Sequence, residues 1–237
     1  RFLIDKIQKK GKRMKMLKPV KVVLFDFDGT LFDSMFIWDT AGETYLRSIG
    51  KEPIDNLQSI LKPMSLHQSA DYLRVHYSIP LSTEEIMDGI NRTVETFYFH
   101  TVEPKPGVIG FLEELNRKGV RMCIATATDR YQVEAALERC GMQHFFSDIF
   151  TCTEIGSGKD QPLIFRKAME HLGTDRSNTV IVEDAWHAIH TAKVDGFLVA
   201  AVYDAHENMQ RSICDAADVY LTDFSETEAF WKFASAI

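Results

Sequence analysis

Val20-Lys21-Val22-Val23-Leu24-Phe25-Asp26-Phe27-Asp28-Gly29-Thr30-Leu31-Phe32-Asp33-Ser34 decides how the rest of the chain is read. It starts as an apolar run rich in β-branched residues, the pattern of a strand buried on both faces. It then ends on two carboxylates one residue apart. Burying a carboxylate without a partner costs several kcal/mol, so paired acids at a strand end call for an explanation. One is a cation site at the mouth of the strand. A solvated Asp-x-Asp-Gly turn accounts for the same spacing.

Downstream of Ser34 the period changes. Phe36, Ile37, Ala41, Tyr45 and Leu46 recur as in a helix that stops near Gly50. A second helix is predicted from Ser65, with Leu66, Ala70, Leu73 and Tyr77 on one face. A third starts at Ser82, where Glu85 completes a capping box ahead of Ile86, Ile90, Val94 and Phe97. Residues 35–103 thus read as a helical block, closed by the stiff Glu103-Pro104-Lys105-Pro106-Gly107.

Beyond that boundary strands and helices alternate. Strands are predicted at 120–125, 149–151, 179–182, 197–202 and 219–221, with helices from Val108, over 129–140, 162–172 and 185–195, and at the C-terminus. This alternation predicts an α/β fold, a Rossmann-like doubly wound parallel sheet. Its parts are residues 19–34 plus 104–237 as the α/β core domain and 35–103 as an inserted α-helical cap domain. In such sheets ligands bind beyond the carboxyl ends of the strands, which is where Asp26 and Asp28 lie.

The other strand ends carry matching chemistry. Ala125-Thr126-Ala127-Thr128 offers a hydroxyl and free amides suited to an anion, although Thr126 also fits a simple helix cap. Gly156-Ser157-Gly158-Lys159-Asp160 presents a lysine ahead of a helix, where a lone lysine is ordinarily just solvated. Val180-Ile181-Val182 runs into Glu183-Asp184, a second strand ending on two acids; an N-cap role for Asp184 explains only one of them. Several carboxylates with a hydroxyl and a lysine favour Mg²⁺ over zinc or copper, beside a phosphoryl group.

These segments, in this order, resemble the four signatures of the haloacid dehalogenase superfamily in its phosphatase form. The helical insert resembles the small-cap class that includes β-phosphoglucomutases and phosphoglycolate phosphatases. The resemblance implies that Asp26 is the nucleophile and that Asp28 is the acid and base. It implies Mg²⁺ held by Asp26, the Asp28 carbonyl and Asp184, with Glu183 in support. Asp28, Gly29, Thr126, Ala127 and Lys159 would surround the phosphate.

The activity implied is hydrolysis of a small phosphorylated metabolite through an aspartyl-phosphate. A mutase of the β-phosphoglucomutase branch is the alternative, but Trp38 and Leu66 stand where such mutases carry a cap histidine and arginine. No Schiff-base lysine of the phosphonatase kind is identified, and dehalogenation has no use for an acid at Asp28. A binding or regulatory relative without activity is the opposing reading, against which the intact signatures stand. Phe36, Trp38 and Met64 are candidates for the substrate-facing surface of the cap; packing between cap helices is the simpler account of them.

Bulk composition narrows the rest. The 237 residues are 45% apolar and 26% charged, as in ordinary globular proteins, and no apolar run is long enough to span a bilayer. The net charge of −7 is uneven: residues 1–18 carry eight basic side chains against Asp5 alone, a net of +7, leaving −14 elsewhere. That balance disfavours nucleic acid as a partner of the folded body and marks 1–18 as a separate extension, with Met14 or Met16 as candidate start. Cys123, Cys140, Cys152 and Cys214 have no metal-binding spacing and read as free thiols of a cytoplasmic protein, and His187 and His190 as rim or surface residues. No membrane partner is expected, and the chain is expected to be a monomer or weak dimer.

Overall fold

The computed structural model describes residues 20–61, 64, 66–225 and 227–235. The basic stretch 1–18, with Met14 and Met16, lies outside them, as does Ser65, the expected start of the second helix. Six parallel strands form one sheet: β1 (Val22–Phe25), β2 (Arg121–Thr126), β3 (Ile149–Thr151), β4 (Thr179–Glu183), β5 (Leu198–Val202) and β6 (Val219–Leu221). Their spatial order is β3-β2-β1-β4-β5-β6, so the chain reverses direction across the sheet at β1.

The strands alternate faces with period two. Val23, Phe25, Met122, Ile124, Val180 and Val182 pack on one side, and Val22, Leu24, Cys123, Ala125 and Ile181 on the other. Helices cover both. On the first side lie α5 (Val108–Arg117), α6 (Arg130–Arg139) and α11 (Glu228–Ser235). On the second lie α8 (Leu163–His171), α9 (Trp186–Val194) and α10 (Gln210–Ala216). Complete burial of β1 explains why it is apolar without alternation.

Between β1 and α5 come α1 (Met35–Ser48), α2 (Leu57–Leu61), α3 (Leu66–His76) and α4 (Thr83–His100). Ala41, Tyr45, Leu46, Ala70, Leu73, Ile86, Ile90 and Val94 join them into an apolar layer continuous with the core of the sheet. The capping box of α4 is formed: the Glu85 amide donates to Ser82 Oγ at 3.1 Å and the Ser82 amide to Glu85 Oε2 at 2.8 Å. The buried face of α4 continues to Tyr98 rather than to Phe97, because 86, 90, 94 and 98 are spaced by four. Phe97 is only partly buried.

The helices α2, α7 (Cys152–Ile155) and α10 were not legible as periodic runs. Two are five residues or shorter, and α10 buries Ile213 alone. Where the chain returns to the sheet, Gly107 has φ +81, and a Cβ there would lie 2.3 Å from the Phe224 backbone. Any side chain at this position would force the Phe224–Ser225 backbone to shift. Among the described residues no helix is long and apolar enough to cross a membrane, and the four cysteines are unpaired.

Candidate active site

Because β1 lies between β2 and β4, the three segments that follow these strands emerge side by side. Asp26 still belongs to the ladder, its amide donating to Val182 O at 2.9 Å. The chain then winds back on itself: Leu31 and Phe32 both donate their amides to Phe27 O, and Gly29 makes the bend with φ +75. A Cβ on Gly29 would lie 2.4 Å from Asp184 Oδ2, so only glycine lets this loop pass beneath the Asp184 carboxylate.

Asp26, Glu183 and Asp184 are all buried and bring carboxylate oxygens within 4.8 Å of one another. Lys159 is buried among them; its Nζ donates to Asp26 Oδ1 and, at 2.8 Å, to Glu183 Oε1. Glu183 Oε2 in turn accepts the amides of Asp184 at 2.8 Å and Ala185 at 3.1 Å. Both Glu183 oxygens are therefore engaged within the protein. Asp184 accepts the Thr30 hydroxyl at 2.9 Å on Oδ1.

The electrostatics follow from this crowding. Burial and the neighbouring Glu183 push the Asp26 carboxyl up to about 8, although Lys159 draws it down. Asp184 is held well above the usual carboxylate range by burial and by Glu183 and Asp26. Glu183 is also penalised by burial, yet Lys159 and the Ala185 amide outweigh that and leave it lowered. Lys159 is stabilised as the ammonium, because Asp26 and Glu183 overcome its own desolvation. With Asp26 and Asp184 ionised, one ammonium among three carboxylates leaves negative charge uncompensated, and without a further cation these two take up protons instead. An all-oxygen set of this kind fits a hard divalent cation, with Asp26 and Asp184 as the available carboxylates.

Asp28 occupies a different environment. Ser34 Oγ donates to its Oδ1 at 2.6 Å, Tyr98 OH to the same oxygen at 2.5 Å, and Thr128 Oγ1 to Oδ2. Trp38 Nε1 donates to Tyr98 OH at 2.8 Å, so two aromatic residues of the helical layer lead to this carboxylate. Burial raises its pKa, and the three hydroxyls counter part of that rise. Asp26 and Asp28, alike in sequence, thus differ in partners: an ammonium for one, neutral hydroxyls for the other.

Thr126 is fully buried at the end of β2, its Oγ1 accepting the Thr128 amide at 3.0 Å, and Ala127 is exposed beside it. Two adjoining cavities separate the strand ends from the helical layer. One of about 710 Å³ reaches Asp184 and is lined by Asp39, Gln58, Met64 and His206 among others. The other, about 410 Å³, reaches Asp28, Ala127 and Thr128 and is closed by Met87 and Asn91. Trp38 lines both. Phe36, a candidate for the same surface, lines neither: it packs edge-on against Phe97 at 5.2 Å and stays 46% exposed. Met35 and Trp38, three residues apart on α1, share the face that lines the cleft, whereas Phe36 falls on a different face. His187 lies exposed at the rim of the larger cavity, and His190 packs on Trp186 outside it.

Sequence reasoning missed Ser34, Tyr98 and Thr128 as partners of Asp28. Thr128 follows Thr126 by two residues and could have been singled out. Tyr98 had only the four-residue spacing from Val94 to mark it as inward-facing.

Comparison with known proteins gives a consistent picture. A family model described as haloacid dehalogenase-like hydrolase matches residues 23–202. A phosphorylated carbohydrates phosphatase of Thermotoga maritima is 23% identical over 177 residues, covering 75% of this chain and 82% of that protein. Pyrophosphatase PpaX of Oceanobacillus iheyensis is 26% identical over 193 residues, covering 77% and 83%. Among solved structures, CbbY from Rhodobacter sphaeroides in complex with phosphate is similar with a TM-score of 0.76 at 21% identity, over 88% of this chain and 96% of that one.

Proposed function

This chain belongs to the haloacid dehalogenase-like hydrolase family, and from that premise we propose that it is a Mg²⁺-dependent phosphatase acting on a small phosphorylated metabolite through an aspartyl-phosphate. The observation that carries the proposal is the pairing of two carboxylates with opposite surroundings. Asp26 sits against Lys159 among acids, and Asp28 sits among hydroxyls facing the helical layer.

In this reading Asp26 attacks phosphorus, and its new P–O bond forms as the ester P–O bond breaks. Asp28, whose raised pKa favours the protonated form, gives its proton to the departing oxygen. It then takes a proton from the water that attacks the phosphoenzyme, which releases phosphate and restores Asp26. Lys159 holds Asp26 in place and offsets the repulsion between carboxylate and phosphoryl oxygens. Thr126 and the amides of Asp28 and Ala127 hold phosphoryl oxygens, while Gly29, whose amide donates to Phe32 O at 3.0 Å, shapes the loop around them. Asp26, Asp184 and the Asp28 carbonyl, with Glu183 in support, would hold Mg²⁺, which would supply the positive charge that the protein lacks.

Residues 35–103 serve as a cap that admits substrate and excludes water from the site, while 19–34 with 104–237 carry the chemistry. Trp38 and Met64 present the cap's substrate-facing surface. Among the described residues neither cavity is lined by Lys or Arg. A mutase needs a cation for a second phosphate, so the hydrolytic reading is the better supported. Cytoplasmic residence as a monomer or weak dimer completes the proposal. Mg²⁺-dependent turnover of p-nitrophenyl phosphate, abolished in Asp26→Asn, tests it. Absence of turnover across a panel of sugar phosphates, nucleotides and small acid phosphates with Mg²⁺ present would sink it.

A further inference from the structure

Building on the metal site proposed above, we infer that Lys105 is a positioning residue that orients Asp184 through the Gly29–Thr30 peptide. Lys105 stands where the chain crosses back from the helical layer to α5. Main-chain bonds tie this crossing to the loop after β1: the Asp33 amide donates to Glu103 O at 3.1 Å, and the Lys105 amide to Leu31 O at 2.8 Å. They secure residues 31–33. The peptide between Gly29 and Thr30 lies outside that ladder, and its carbonyl is held by the Lys105 side chain.

Lys105 Nζ also donates to Tyr203 O at 3.1 Å and Asp204 Oδ2 at 2.7 Å. Three acceptors match the three N–H bonds of the ammonium. The pair is deeply placed, with Lys105 11% and Asp204 3% exposed. Asp204 Oδ1 is fixed in turn by the His206 amide at 2.8 Å. A lysine on one crossing segment thereby ties the loop after β5 to the loop after β1.

The consequence reaches Asp184. Thr30 follows the held carbonyl directly, and its hydroxyl is the donor to Asp184 Oδ1. Rotating the 29–30 peptide would withdraw that hydroxyl, and the tight passage of Gly29 beneath Asp184 leaves the carboxylate no room to follow. Groups that orient a metal-binding carboxylate from behind typically change metal affinity by about 10–100-fold when removed.

A buried ion pair with a purely structural purpose makes a different prediction, and a charge-balanced variant separates the two. Lys105→Met alone strands Asp204 and is expected to lower the melting temperature by roughly 10 °C on either account. Lys105→Met/Asp204→Asn removes both charges. We expect it to melt close to the parent protein yet to bind Mg²⁺ about 10–100-fold more weakly by isothermal titration calorimetry, its p-nitrophenyl phosphate turnover recovering as Mg²⁺ is raised. Thr30→Val, nearly isosteric, breaks the chain one step later and should reproduce the weaker binding even if the double variant does not fold. Parental Mg²⁺ affinity in either folded variant overturns the inference. Failure of the parent protein itself to bind Mg²⁺ overturns instead the metal site on which it rests.

Discussion

Lys159→Met tests the electrostatic account of the site most directly. Lys159 joins Asp26 and Glu183, and the oxygens of these two and Asp184 lie within 4.8 Å. Two unit charges at that distance repel by about 3.5 kcal/mol at an effective dielectric near 20. Removing one partner from a buried charge network costs about 3–5 kcal/mol. At about 2–4 °C per kcal/mol for a chain of this size, the metal-free protein should melt about 10 °C lower. The loss must depend on pH, because the cluster can escape repulsion by taking up protons. Asp26 keeps its proton to about pH 8 in the folded protein, whereas an unfolded aspartate releases it near ~3.9. The folded state therefore binds more protons across that window, and stability falls as pH rises through it, by up to about 1.4 kcal/mol per unit for one proton. Without Lys159, which draws the Asp26 value down, the window extends further upward. Calorimetric melts in EDTA should show a small gap between parent and variant at about pH 5.5 and a wide one at about pH 8.5. A gap under ~2 °C at both, or one that widens toward acid, would refute this account of the cluster.

Three further perturbations address other parts of the site and the scaffold. Gly29→Ala places a Cβ 2.4 Å from Asp184 Oδ2 at a φ of +75; besides about 1–2 kcal/mol of backbone strain, Mg²⁺ affinity by titration calorimetry should fall at least ~10-fold, and parental affinity would contradict the close passage. Tyr98→Phe removes one of the three hydroxyls that stabilise ionised Asp28. The Asp28 value should rise further, moving the alkaline limb of the kcat/KM profile to higher pH; a shift toward acid would show that Asp28 is not the acid. Asp195 lies between Arg166 and Arg176, and Arg166 above all holds its carboxyl below the usual range. A depressed carboxylate contributes stability above its unfolded value of ~3.9 that disappears as pH falls through the lower folded value. Asp195→Asn should therefore melt below the parent at neutral pH and converge with it in acid, and a gap that persists there would assign the loss to packing.

Most of the architecture was legible because each element repeats one simple period. The apolar runs at 22–25, 120–125 and 179–182 read as buried strands, and the alternation that follows Gly107 admits little besides a parallel sheet. The paired acids at both β1 and β4 marked the site, since no strand ends on two buried carboxylates without a compensating charge. Short helices such as α2 and α7 escaped because one turn has no period to detect.

What tertiary structure alone decided is how the like residues divide. Asp26 and Asp28 are the same side chain two positions apart, and sequence placed both at one strand end. Lys159 reaches one, and Ser34, Thr128 and Tyr98 reach the other, from 6 to 133 positions away along the chain. Phe36 and Trp38 were equivalent as sequence, yet one packs outward on Phe97 and the other bonds Tyr98 over the cleft. Lys105 read as a linker residue until the fold set Gly29 and Asp204 against it. Local periodicity dictates which face of an element is buried. The partner a buried charge finds depends on which distant loops the sheet order brings together, and for β1 those are the loops after β2, β3, β4 and β5.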